Sequence, residues 1–223
     1  MINKLNYIFL IFILNSLISF NTSGAEIFNF DVTEVEIIEE GNKFIGKKGG
    51  TATSEDGTII RAKNFEYDKS KNILIASGDV EIDDKKQNIV IKSQKITYLK
   101  NKELFITKGN SKAINEGIII DAENFKYNKI TNIINANDNV EIKDTINDYL
   151  ILTDDATYFK NSEKIITKGN TDAFIQSKYI INSKDVTYLH NKRILSSRHK
   201  TKIKDQNSQV YFAEKFKYHI DQE

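Results

Sequence analysis

The stretch IIRAKNFEYDKSKNILIASGDVEI, from Ile59 to Ile82, returns as IIIDAENFKYNKITNIINANDNVEI from Ile118 to Ile142. A looser version, IVIKSQKITYLKNKELFITKGNSKA, lies between them from Ile89 to Ala113. A chain that repeats an apolar/polar phrase about every thirty residues makes units that cannot bury their apolar faces alone, so the units must stack. The register is set by Tyr67, Tyr98, Tyr127, Tyr158, Tyr188 and Tyr218, spaced by 31, 29, 31, 30 and 30 residues. Seven positions before each tyrosine stands Ile60, Ile91, Ile120, Ile151, Ile181 or Tyr211. Five before stands a small side chain: Ala62, Ser93, Ala122, Thr153, Ser183 or Ala213. Two before stands Phe65, Ile96, Phe125, Val186 or Phe216, with Ala156 as the exception. Phe30, Val32, Val35 and Ile37 add a seventh mark upstream.

Steps of two place the marked side chains on one face of a strand. The single step of three, from the small residue to the bulky one, moves the second half to the other face unless a bulge or corner restores it. A polar stretch of hairpin length follows each tyrosine, and a second strand follows that. Gly78-Asp79, Gly109-Asn110, Asp138-Asn139 and Gly169-Asn170 then mark a second bend, with glycine free to take positive φ in three of the four. Beyond the bend, the large pairs Val80/Ile82 and Val140/Ile142 alternate with the small pairs Ser111/Ala113 and Thr171/Ala173. The true superperiod is therefore near sixty residues, and the small pairs are expected to leave room between the walls.

No window carries helical periodicity beyond the N-terminal segment. Short loops favour antiparallel pairing. The expected fold is all-β: an elongated, twisted stack of roughly thirty-residue repeats, with about fourteen mostly antiparallel strands and open ends. The absence of Pro removes one interruption to long hydrogen-bonded ladders.

Residues 1–25 read as a secretory signal peptide: Lys4 in a short leading region, an apolar run from Leu5 to Phe20, and the small residues Ser23-Gly24-Ala25. Residues 26–223 then form one repeat domain. Its removal takes one Lys and no acid from a chain of net charge +1, leaving zero. No basic field remains to hold nucleic acid. With no Cys in an exported chain, disulfides and thiolate metal sites are excluded.

With the small residue, the aromatic-x-Tyr strand end, the polar turn and the Gly-Asp/Asn bend in register, the repeats resemble the OstA-like family. That family holds the lipopolysaccharide transport proteins LptA and LptC and the N-terminal part of LptD. The likeness covers about residues 26–218, and the opening FNFDVTEVEIIEEGNKFIGKKGGTAT looks closest to the periplasmic start of LptD-type proteins. The resemblance implies a twisted β-jellyroll, open along one side like a V-shaped trough. It implies an apolar interior that takes lipid A acyl chains toward the outer membrane of a Gram-negative bacterium, and no catalytic residue, metal or cofactor. It also implies edge-strand pairing with other Lpt-type jellyrolls and an outer-membrane barrel, as a partner or as a further part of the chain. The end at Glu223, within a seventh unit, fits a truncated assembly protein or an edge awaiting a partner.

The lining expected of such a trough is Ile60, Phe65, Tyr67, Val80 and Ile82 in the first copy, then Ile91, Ile96 and Tyr98. It continues through Ile120, Phe125, Tyr127, Val140 and Ile142 to Ile151, Tyr158, Val186 and Tyr188. Burying each CH₂ of an acyl chain is worth ~0.8 kcal/mol, so a lipid crossing water gains from such a lining at every step. Three other readings compete: a stand-alone LptA-like bridge, an exported β-solenoid adhesin, and a strand-pairing scaffold without lipid. His190, His199 and His219 form no HxH or HxxxH pair and are expected at the surface. Asp83-Asp84 and Asp154-Asp155 read as solvated acids, and Lys69 and Lys129 as exposed turn residues.

Overall fold

A computed structural model describes residues 28–219, so the signal segment 1–25 lies outside the described residues. The described residues run as nineteen strands: β1 Phe28–Ile38, β2 Lys43–Ser54, β3 Ile59–Ala62, β4 Asn64–Asp68, β5 Ile73–Asp84, β6 Ile89–Leu99 and β7 Leu104–Lys108. Next come β8 Ser111–Asn115, β9 Ile118–Ala122, β10 Asn124–Asn128, β11 Ile133–Asp144, β12 Tyr149–Phe159 and β13 Lys164–Ile175. Last are β14 Tyr179–Lys184, β15 Thr187–Leu189, β16 Ile194–Ser197, β17 Thr201–Asp205, β18 Val210–Ala213 and β19 Phe216–His219. Seven of these are long and bent. The other twelve are halves of six rungs that break at the corner, so the described chain makes thirteen rungs against the fourteen expected.

Each rung contributes one half to each of two walls. The tyrosine wall runs from the second half of β1 through β4, β7, β10, β15 and β16 to β19, and the isoleucine wall from the first half of β1 through β3, β8, β9, β14 and β17 to β18. Every pairing is antiparallel, and each rung pairs with its immediate neighbours in sequence. Among the described residues, the free edges are β1 at one end and β18 with β19 at the other.

The corners behave as their spacing requires. Register shifts fall between Ser77 and Val80, Asn137 and Val140, and Thr153 and Asp155. Gly78 takes φ 81°, and Asp138 accepts φ 65° where its copy lacks the glycine. Backbone bonds from Lys63 N to Gly78 O (3.0 Å) and Glu123 N to Asp138 O (3.1 Å) join corner to corner along the spine. Ile60, Ala62, Phe65 and Tyr67 are all buried, so the step of three does return the second half to the same inward face.

Candidate functional site

All seventeen residues expected to line the trough are buried, and the structure gathers them into one core that runs the length of the stack. Whether they touch lipid is a separate matter, taken up below. Their side chains fill the space between the walls. Ring contacts bridge it, with Phe28 on the isoleucine wall 5.0 Å edge-on from Tyr67, and Tyr149 5.3 Å from Tyr188.

The small pairs do not leave a gap. Ser111, Ala113, Thr171 and Ala173 are buried. Thr107 Oγ1 lies 2.6 Å from Ser111 Oγ and accepts from Phe125 N at 2.7 Å. Thr167 Oγ1 lies 2.7 Å from Thr171 Oγ1 and accepts from Val186 N at 2.8 Å. Hydroxyls placed here satisfy backbone donors freed where the rungs break, because a buried N–H without a partner is costly.

The long side of the trough, expected open, is closed. Antiparallel rungs put alternate turns on opposite rims: those after β4, β6, β10, β12 and β15 on the tyrosine rim, those after β2, β5, β8, β11 and β13 on the isoleucine rim. Three groups of side chains join the rims. In the first, Lys129 Nζ donates to Asp56 Oδ2 at 2.5 Å and Thr58 Oγ1 at 2.6 Å, and ion-pairs with Asp84 Oδ2 at 3.1 Å. In the second, the Tyr158 hydroxyl donates to Asn115 Oδ1 at 2.8 Å, and Asn115 Nδ2 donates to Asn88 O at 2.6 Å. In the third, Asp144 accepts from the Tyr188 hydroxyl and from Asn147 Nδ2 (2.7 Å), and sits 2.7 Å from His190 Nδ1.

Several expectations change here. Lys129 is not an exposed turn residue but only 7% exposed. Asp84 is buried rather than solvated, and His190 is a mostly covered rim contact rather than a surface residue. Asp83, beside Asp84, lies 3.8 Å from Arg61, and His199 Nε2 pairs with Asp185 at the surface. A single repeat gave no hint of these pairings because the partners are 73, 43 and 44 residues apart, more than one repeat in each case.

The tyrosines gain a role that neither strand periodicity nor core packing demands. Their rings lie in the core while several hydroxyls reach the rim: Tyr98 to Glu103 at 2.5 Å, Tyr127 to Asn132 at 3.3 Å, Tyr158 and Tyr188 across it. A phenol is suited to a boundary with one apolar and one polar side. Burial, and then Glu103, push the Tyr98 hydroxyl above its ordinary range; burial and Asp144 do the same to Tyr188. Burial pulls the Asp56 carboxyl upward, but hydrogen bonds from Lys129 and Ser54 outweigh it and hold it well below the usual carboxylate range. Asp144 is also lowered: burial opposes the shift, and hydrogen bonds from Tyr188 and Asn147 overcome it.

Two features bound what this arrangement can do. Among the described residues, the hydrogen bonds and ion pairs between the rims run through side chains, whereas the corners are held by the backbone itself. The contacts also link rungs about three apart, as Tyr158 in the ninth rung and Asn115 in the sixth show, so the walls are offset along the stack by about 14 Å at ordinary strand spacing. One wall therefore overhangs at each end. Val35 and Ile37 on the tyrosine wall are 53% and 65% exposed at the first end, and Tyr211 on the isoleucine wall is 49% exposed at the last.

No group of three or more metal-ligating side chains stands together among the described residues. No family model and no curated protein sequence matches the chain. Among solved structures it is similar to LptH of Pseudomonas aeruginosa, described as the LptA-homologous periplasmic component of the conserved lipopolysaccharide transport device. The identity is 17% and the TM-score 0.44, over 49% of this chain and 81% of that one.

Proposed function

We propose that this chain is a non-enzymatic periplasmic carrier in which lipid A acyl chains of lipopolysaccharide lie between the two walls on their way to the outer membrane. The observation that carries the reading is the single apolar core spanning thirteen rungs, fixed by backbone along the spine and by side chains alone along the rim. Such a core exchanges one apolar content for another when the rim parts. Acyl chains replace the contacts that facing Ile, Phe and Tyr side chains make with each other, so the net change is small at every rung. The repeat resemblance to OstA-like proteins supplies the lipid class.

The finer reading is a segment that works like the N-terminal part of LptD; a stand-alone LptA-like bridge is the second. The overhangs favour end-to-end contact in either case. A free β1 edge with Val35 and Ile37 bare on the tyrosine wall complements a free β18/β19 edge with Tyr211 bare on the isoleucine wall. Joined end to end, the overhangs lap, and the apolar interior continues from one unit into the next.

Photo-crosslinking tests the cargo. A photoreactive residue at Ile82, Phe125 or Ile142, all inward, is expected to form adducts with lipopolysaccharide in cells. The outward controls are Lys69 and Lys126; Lys129 is unsuitable because it is buried. Equal labelling at inward and outward positions overturns the proposal.

A further inference from the structure

We infer that the rim is the loading slot of this protein, a seam along which the walls part sideways to admit an apolar chain that carries a polar head, and that the Lys129, Tyr158 and Asp144 clasps are what hold it shut. The inference rests on the lipid-carrier reading for its cargo, but the geometry of the seam stands apart from it. The spine has no such freedom, because every rung is covalently continuous there and its corners are cross-bonded by backbone N–H groups. Among the described residues, the walls meet at the rim through side chains that can rotate away: one ammonium, two phenols, three carboxylates, a threonine hydroxyl, an imidazole and two amides. Buried rings adjoin the clasps: the Tyr98 hydroxyl donates to Glu103, 4.0 Å from Lys129, and the Tyr149 ring lies 5.3 Å from that of Tyr188. Parting the seam therefore opens straight onto apolar surface.

The clasps also match what an amphiphile brings. Each is a hydrogen bond or ion pair, and the polar head of an incoming molecule makes contacts of the same kind while its tail enters. Loading from the ends alone would need no removable contacts along the side, and those contacts could equally have been apolar packing. A buried ion pair such as Lys129 with Asp56 and Asp84 is often no more stabilising than well-packed apolar residues of the same volume, which fits a joint that opens.

The chain lacks Cys, so an engineered pair gives a unique crosslink. The doubly substituted protein Lys129→Cys, Asp56→Cys is treated with a reductant-cleavable bismaleimide. Uptake of N-phenyl-1-naphthylamine, an uncharged apolar dye, and of purified lipopolysaccharide is followed by stopped-flow fluorescence. The untreated double variant, with its clasp removed, is expected to load at least several-fold faster than the parent. The bridged protein is expected to load at least tenfold slower than the untreated one and several-fold slower than the parent, with recovery on cleavage. Melting temperatures confirm that both remain folded. A companion variant, Tyr158→Phe, loses one rim bond without adding charge and is expected to load faster than the parent to a smaller degree. Loading at the parent rate in the bridged protein shows passage through the ends and overturns the slot. If the dye loads through the seam but lipopolysaccharide does not load at all, the slot stands and the lipid-carrier reading fails.

Discussion

Lys129 is the residue on which most of the rim depends. Its ammonium is surrounded by Asp56, Thr58 and Asp84, with Glu103 at 4.0 Å. Lys129→Ala leaves the buried Asp84 carboxylate without its cation, and breaking a buried pair in this way costs about 3 kcal/mol. Tyr67→Phe, by contrast, removes one hydroxyl bonded to Asn72 at 3.2 Å, a loss of about 1 kcal/mol. Urea unfolding of the two variants should reproduce that order. A Lys129→Ala loss below about 1 kcal/mol would mark the cluster as no stronger than a surface ion pair.

At the scale of the element, the corners decide whether a rung can form. Gly50 in β2 packs directly against the backbone of β1. A Cβ there would stand 2.2 Å from Asp31 O and 2.6 Å from Val32 Cα, neither of which can move without breaking the β1–β2 pairing. At Gly78, φ 81°, the nearest obstacle is the flexible Lys63 side chain at 2.9 Å. Gly78→Ala should therefore cost about 1 kcal/mol, the ordinary penalty for leaving glycine at positive φ. Gly50→Ala should instead release β1, read as fast amide exchange over Phe28–Ile38 with the later rungs still protected. Protection of β1 equal to the parent's would refute the clash. The corners were legible in sequence because the step of three and the Gly-Asp/Asn pairs are local. The rungs, about fourteen expected against thirteen described, and their inward faces were legible for the same reason. The breaks that turn thirteen rungs into nineteen strands were not, since they depend on how far each corner bends.

For the whole molecule, the rim chemistry sets a pH window. Asp56 and Asp144 titrate below the ordinary carboxylate range in the folded chain. The groups facing them are Lys129 and Ser54 for the first, and Tyr188, His190 and Asn147 for the second. A lowered folded pKa gives stability that is fully present above the unfolded value near 4 and is lost as pH falls through the folded value. Tyr98 and Tyr188 are raised, so their contribution is complete below the unfolded value near 10 and disappears as pH climbs through the folded one. Thermal melts should therefore show the midpoint falling below about pH 4 and again above about pH 10. A melting temperature that does not fall between pH 5 and pH 3 would mean the rim is not clasped in solution.

The amino-acid sequence alone determined the all-β class, the thirty-residue rung pairs, the side chains that face inward and the places where each rung bends. It could do so because strand pairing here joins neighbours in the chain, and inward or outward direction follows from a period of two. Only the tertiary structure decided that the side of the trough is shut, and that Lys129, Tyr158 and Asp144 close it. Which rim residues meet depends on the offset between the walls. That offset sums the twist and side-chain packing of every rung, a quantity that no single repeat contains.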